Sequence, residues 1–190
     1  MIHPLIPYPD RAAADEILAR TRLWLERAVI GLNLCPFAKS VFVKKQVGYA
    51  LTAAGTADEL LAELERELTC LAETDPTELD TTLLIHPLAM TDFLDFHFFL
   101  AEADALIRNL DFTGVFQIAS LHPQYEFAGS EADEIANFTN RSPYPTLHLL
   151  RESSIDRAVA AFPDAGSIFE RNIETMEGLG HDGWKKLWLS

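Results

Sequence analysis

The chain has 190 residues, 48% of them hydrophobic, and a net charge of −14. That length favours one domain whose core buries roughly 70% of the surface exposed on unfolding, and the acidity argues against broad binding to nucleic acid or anionic membranes, which rests on basic patches. No apolar run reaches the ~18 residues of a membrane span, Met1-Ile2-His3-Pro4 lacks a signal-peptide start, and Cys35 and Cys70 build no disulfide framework, so a cytoplasmic protein is expected.

Residues 1–9 carry Pro4, Pro7 and Pro9 and are expected as an extended arm. From Asp10 to Leu32, apolar positions Ile17, Trp24, Leu25, Ala28 and Leu32 keep the three/four spacing of a helix with one buried face. Residues 41–52, rich in valine and aromatics, predict a strand. Thr56 and Glu59 form a capping box, opening a helix to about Glu73 that buries Leu60, Leu64, Leu68 and Leu71. Thr81–Pro87 predicts a strand ending in His-Pro. A helix capped by Thr91 follows, with Phe93, Phe96, Phe99, Ala103 and Ile107 on its apolar side. Val115–Pro123 is a second strand ending in His-Pro. Residues 123–145 are polar and irregular, with a short helix expected near 131–138. Thr146–Leu150 is a last strand, and two helices close the chain near 154–162 and 167–179.

Alternating strands and helices imply an α/β fold. The expectation is one α/β domain over residues 1–190: a layered open sheet with at least three parallel strands, crossover helices, and a fourth strand whose direction the long loop leaves open. In it, 81–87 and 115–122 are neighbouring parallel strands, so His86 and His122 share the sheet's carboxyl edge, where such sheets place ligands.

A residue before proline is held extended, so each histidine is the last strand residue before a turn. Both are candidates for acid/base catalysis at neutral pH or, with His148 as a third member, for ligands of a divalent metal. The competing structural reading is a pair of strand ends bonded to backbone. Cys35, directly before Pro36, is placed at a helix N-cap where amide dipoles favour thiolate. It is either a nucleophile or a buried small side chain. Arg141 can anchor an anion through a two-pronged bond, and Asn140, Ser142, Tyr125, Tyr144 and Arg151 complete a candidate binding set. The alternative for Arg141 is an ion pair within a tied surface loop.

Three stretches carry a resemblance. They are Trp24-Leu25-Glu26 with Gly31-Leu32-Asn33-Leu34-Cys35-Pro36-Phe37-Ala38; Phe116-Gln117 with His122-Pro123-Gln124-Tyr125; and Asn140-Arg141-Ser142-Pro143-Tyr144-Pro145 with His148, Arg151 and Glu152. In these the chain resembles the family called domain of unknown function 1415, which implies no activity. The residues themselves lead to the expectation of a small-molecule enzyme using His86 and His122 as acid/base or metal ligands and Arg141 as anion anchor. The alternative is a non-catalytic small-molecule-binding or regulatory domain using the same pocket. No Gly-rich phosphate loop is present.

Overall fold

The computed structural model describes residues 7–161 and 165–188. The first six residues of the expected arm lie outside the described residues. Asp10 accepts hydrogen bonds from the amides of Ala12 and Ala13 and opens α1 (Arg11–Trp24). This helix widens into a π-helical turn, Leu25–Ile30. Its apolar stripe buries Ile17, Trp24, Leu25 and Ala28, as the spacing predicts.

The strand expected over 41–52 shortens to β1 (Val47–Leu51). Val41–Val43 instead close a short helix, α2 (Ala38–Val43). The neighbouring strand begins opposite Val47, so Val41–Val43 have no ladder partner and bond locally, the Val41 carbonyl accepting from the Gln46 amide (2.9 Å). Lys45, at φ 60°, turns the chain into the sheet.

The capping box of Thr56 and Glu59 starts α3 (Ala57–Glu73). β2 (Thr81–Ile85) and α4 (Phe93–Asn109) follow. The cap of α4 is Asp92 rather than Thr91, its carboxylate accepting from Leu94 and Asp95. Then come β3 (Phe116–Leu121), a 3-10 turn over Ile135–Asn140, β4 (Thr146–Arg151) and α5 (Glu152–Ala160). A second 3-10 turn, Ala165–Ser167, leads into α6 (Ile168–Lys186). α6 kinks at Gly180, whose φ of 62° suits a residue without Cβ.

The four strands run in the order β1-β2-β4-β3. β1 and β2 are parallel, and β4 is antiparallel to both β2 and β3. The sheet is therefore open and mixed with one parallel pair, and β2 and β3 are not neighbours: β4 inserts between them. Their shared edge survives this correction, because both strands oppose β4. Thr146 is the register partner of Ile85 on one side and of Leu121 on the other.

Alternate strand residues point to opposite faces. On one face Leu84, Leu147 and Leu149 pack with Leu60, Leu64, Leu68 and Leu71 of α3 and with Phe96, Phe99 and Ala103 of α4. On the other, Tyr49, Leu51, Leu83 and Ile85 pack with Ile17, Trp24 and Ala28. Among the described residues no helix is long and apolar enough to cross a membrane.

Arg151, at the far end of β4 from the histidines, fastens the first face. Its guanidinium donates to the carbonyls of Leu71, Thr74 (2.7 Å) and Leu79 (3.2 Å) and lies over the Phe116 ring. These carbonyls end α3 and lead into β2, so a cation there satisfies acceptors the helix leaves open. Arg151→Met should lose about 3 kcal/mol in urea unfolding, because the stem's packing remains but buried carbonyls lose their donor. A loss under about 0.5 kcal/mol would show the contact to be dispensable.

Candidate functional site at the carboxyl edge of the sheet

His86 and His122 follow the last rung of the sheet on either side of Pro145. The His86 amide donates to the Pro145 carbonyl (3.0 Å) and the His122 amide to that of Asn140 (3.2 Å). Both side chains are fully buried. Their rings flank Phe96 of α4, with centroids 5.6 Å and 5.2 Å from it. The two imidazoles thus lie no further apart than those distances combined.

One nitrogen of each ring bonds the turn that follows β2. His86 Nδ1 lies 3.0 Å from the Ala89 carbonyl. A carbonyl only accepts, so Nδ1 carries the proton and Nε2 is a bare acceptor. His86 Nε2 is buried and has no hydrogen-bond partner. His122 has the opposite tautomer: Nδ1 accepts from the Gln124 amide (3.0 Å), and Nε2–H donates to the Met90 carbonyl (3.1 Å). Met90 itself sits at φ 51°, a left-handed conformation uncommon outside glycine. The pair therefore pins residues 86–92 to the sheet edge. Burial lowers the pKa of His86 to about 4, and burial also pulls His122 down. Both rings are neutral at pH 7.

The polar loop begins here, and its aromatic residues continue outward from the imidazoles. Phe93 lies 5.4 Å from His122 and 5.2 Å from Tyr125, whose ring is 5.1 Å from Phe127. Phe127 in turn meets Phe169 of α6, edge on, at 5.8 Å.

Arg141 turns Nε and one Nη to the loop itself. It bonds the carbonyls of Tyr125 (3.1 Å) and Ala132 and stacks over Phe138 at 4.2 Å. Its carbonyl accepts the indole N–H of Trp24 (2.8 Å), tying the loop's return to α1. Ser142 donates to the Tyr144 carbonyl (2.7 Å), the Tyr144 ring packs with the second core cluster, and its hydroxyl meets Arg20. Asn140 contributes the carbonyl that His122 holds.

The loop's central residue is not among the candidates that the sequence offers. Asn137 is fully buried. Its Oδ1 accepts from the Phe127 amide (2.9 Å) and Ser130 (2.8 Å), and its Nδ2 donates to the Glu131 carbonyl (2.8 Å). An asparagine amid a long polar loop was the available signal, since its amide can join two distant backbone stretches. Asn137→Ala should cost about 2–3 kcal/mol and raise amide exchange across 124–140 more than elsewhere. Uniform exchange would show that Asn137 does not organise the loop.

Cys35 does not cap α2: Phe37 occupies that position. Burial pushes its thiol pKa up, outweighing the amides of Phe37 and Ala38, which pull it down. The turn around it is held to α6 by the Asn172 side chain, which donates to the Leu34 carbonyl (2.9 Å). Cys35 and Cys70 are both free.

His148 lies on the opposite face of the sheet from the histidine pair. Its register partner Leu83 belongs to the second cluster, and its Nε2 is 2.7 Å from the Thr81 hydroxyl. Burial lowers its pKa to about 4. The three histidines therefore do not fit a common metal. Among the described residues no three His, Cys, Asp or Glu side chains converge as a ligand group.

Fold and edge together define a mixed α/β domain with helices over both sheet faces and a neutral imidazole pair where β2 and β3 end. A family profile described as a protein of unknown function, DUF1415, matches residues 16–186, and the chain belongs to that family. No curated protein and no solved structure matches it.

Proposed function

We propose that the protein is a non-catalytic small-molecule-binding domain whose site is the carboxyl edge of the sheet. The observation that carries this reading is the engagement of His86 and His122 with the 86–92 turn. Imidazoles held neutral, with three of four ring nitrogens on backbone groups, suit a fixed platform better than a proton shuttle. The ligand would stack on the half-buried rings of Phe93 and Tyr125, beside the loop held by Arg141, Asn140, Ser142 and Tyr144. Arg141 acts through the loop carbonyls rather than as an anion anchor. The ligand class that fits is a planar aromatic molecule, neutral or cationic, since rings favour such partners and the chain carries a net charge of −14. Nucleic acid and membrane surfaces are not partners in this reading, and two free cysteines suit a reducing cytoplasm.

The second reading is an enzyme in which His86 Nε2 takes a proton from substrate. The unpartnered, buried lone pair of that nitrogen favours it.

Protein NMR titrations with indole, tyramine and benzoate test the proposal. Indole and tyramine should shift resonances of Phe93, Tyr125 and Phe127 at millimolar concentrations. Benzoate should do so at least about threefold more weakly, and Tyr125→Ala should remove the response. Scattered shifts, or shifts that Tyr125→Ala leaves unchanged, would overturn the assignment.

A further inference from the structure

We infer that the outer face of α4 is the contact of a homodimer in which two α4 helices pack antiparallel about a twofold axis. α4 is apolar on two faces. Phe96, Phe99, Ala103 and Ile107 face the core. On the opposite side Leu94 and Phe98 are 60% and 66% exposed, Ala101 is exposed and Ala105 partly so. These four recur at 4-3-4 spacing, the seam of a helix that packs on another helix. Arg108, exposed, ends the stripe.

The order of sizes identifies the occupant. Along the stripe two large residues precede two small ones. Antiparallel pairing about a twofold centred between Phe98 and Ala101 sets Leu94 against Ala105 of the second copy and Phe98 against Ala101 of the second copy. Each large side chain then meets a small one, and no other chain is needed to complete the fit. A parallel pair would stack large on large and leave the alanines apart. On one flank the pairing brings the His97 imidazole to the Asp104 carboxylate of the second copy, twice by symmetry. On the other it brings Asp95 to Glu102 of the second copy. Salt screens that repulsion, so association tightens as ionic strength rises. One helix face buries less than the roughly 1,200 Å² of a stable complex, which places the dimer in the weak class.

Sedimentation velocity on the full chain, from about 1 to 300 μM, reads the result, with a dissociation constant expected in the micromolar range. Phe98→Glu and Ala101→Glu should each weaken the dimer by at least about 30-fold while leaving the circular dichroism unchanged. Raising salt from about 50 to 500 mM should strengthen it. The variant with both Leu94→Cys and Ala105→Cys should form an oxidised dimer, whereas each single variant should not. A monomer throughout the concentration range would overturn the inference. So would a dimer indifferent to both glutamates, or cross-linking by Leu94→Cys alone to the same extent as by the pair.

Discussion

His122→Ala should destabilise the fold by about 3–4 kcal/mol. The ring is fully buried, stacked on Phe96 and tilted against Phe93, so truncation leaves a cavity of the kind that costs about 2–5 kcal/mol for large apolar side chains. It also strips the Met90 carbonyl of its donor and the Gln124 amide of its acceptor, at about 1 kcal/mol or more each where no water replaces the partner. His122→Phe should recover the stacking share alone, so its loss falls between zero and that of the alanine variant. Urea unfolding of the three proteins measures this. A loss under about 1 kcal/mol for His122→Ala would show that the ring does not hold the edge, and would return it to the role of a poised acid or base.

Acidification should unfold the protein well before its carboxylates are all protonated. The pKa values of His86 and His148 fall from 6.5 to about 4 on folding. A histidine whose folded pKa is depressed binds fewer protons native than unfolded, so stability is complete above about pH 6.5 and is lost as pH falls towards 4. The loss is on the order of 3 kcal/mol for His86, and less for His148, a half-buried residue. Glu67 acts with the opposite sign. Burial, and then the neighbouring Glu63, raise its pKa to about 7, so its contribution is full below about pH 4.5 and fades as pH rises to 7. Between pH 4.5 and 6.5 two histidines outweigh one glutamate, and stability should climb with pH. Denaturant midpoints at pH 4.5, 5.5 and 6.5 check the slope. A flat or falling profile would mean that the histidines are solvated in the native state.

The helices were legible because their signals are local. The stripe from Ile17 to Ala28, the Thr56–Glu59 box and the leucines of α3 all follow from spacing alone. The start of β1 was not legible, since Val41-Phe42-Val43 has strand propensity and becomes helical only because no partner strand reaches it. The place of β4 was equally hidden: strand order is a non-local property, and nothing in Thr146–Arg151 states that it inserts between β2 and β3. The common edge of His86 and His122 was legible from two His-Pro endings and one intervening helix. What the ring nitrogens bond was not, because the carbonyls of Ala89 and Met90 approach only through a turn whose left-handed Met90 has no sequence mark. Arg141 reads as an anchor for an external anion and Arg151 as a member of the binding set, yet both meet backbone carbonyls within the chain. A guanidinium satisfies either partner, and only the folded geometry decides between them.

The proposed platform requires the two imidazoles to be fixed, neutral parts of the sheet edge. Nitrogen-15 NMR of the histidine rings between pH 5 and 8 tests that most directly. The predicted result is two neutral rings of opposite tautomer at pH 7 to 8, His86 protonated at Nδ1 and His122 at Nε2, each gaining its second proton only below the ordinary histidine value of 6.5. A ring of this pair that gains a proton with a midpoint near 6.5, or exchanges between tautomers, would contradict the platform and favour proton transfer at this edge.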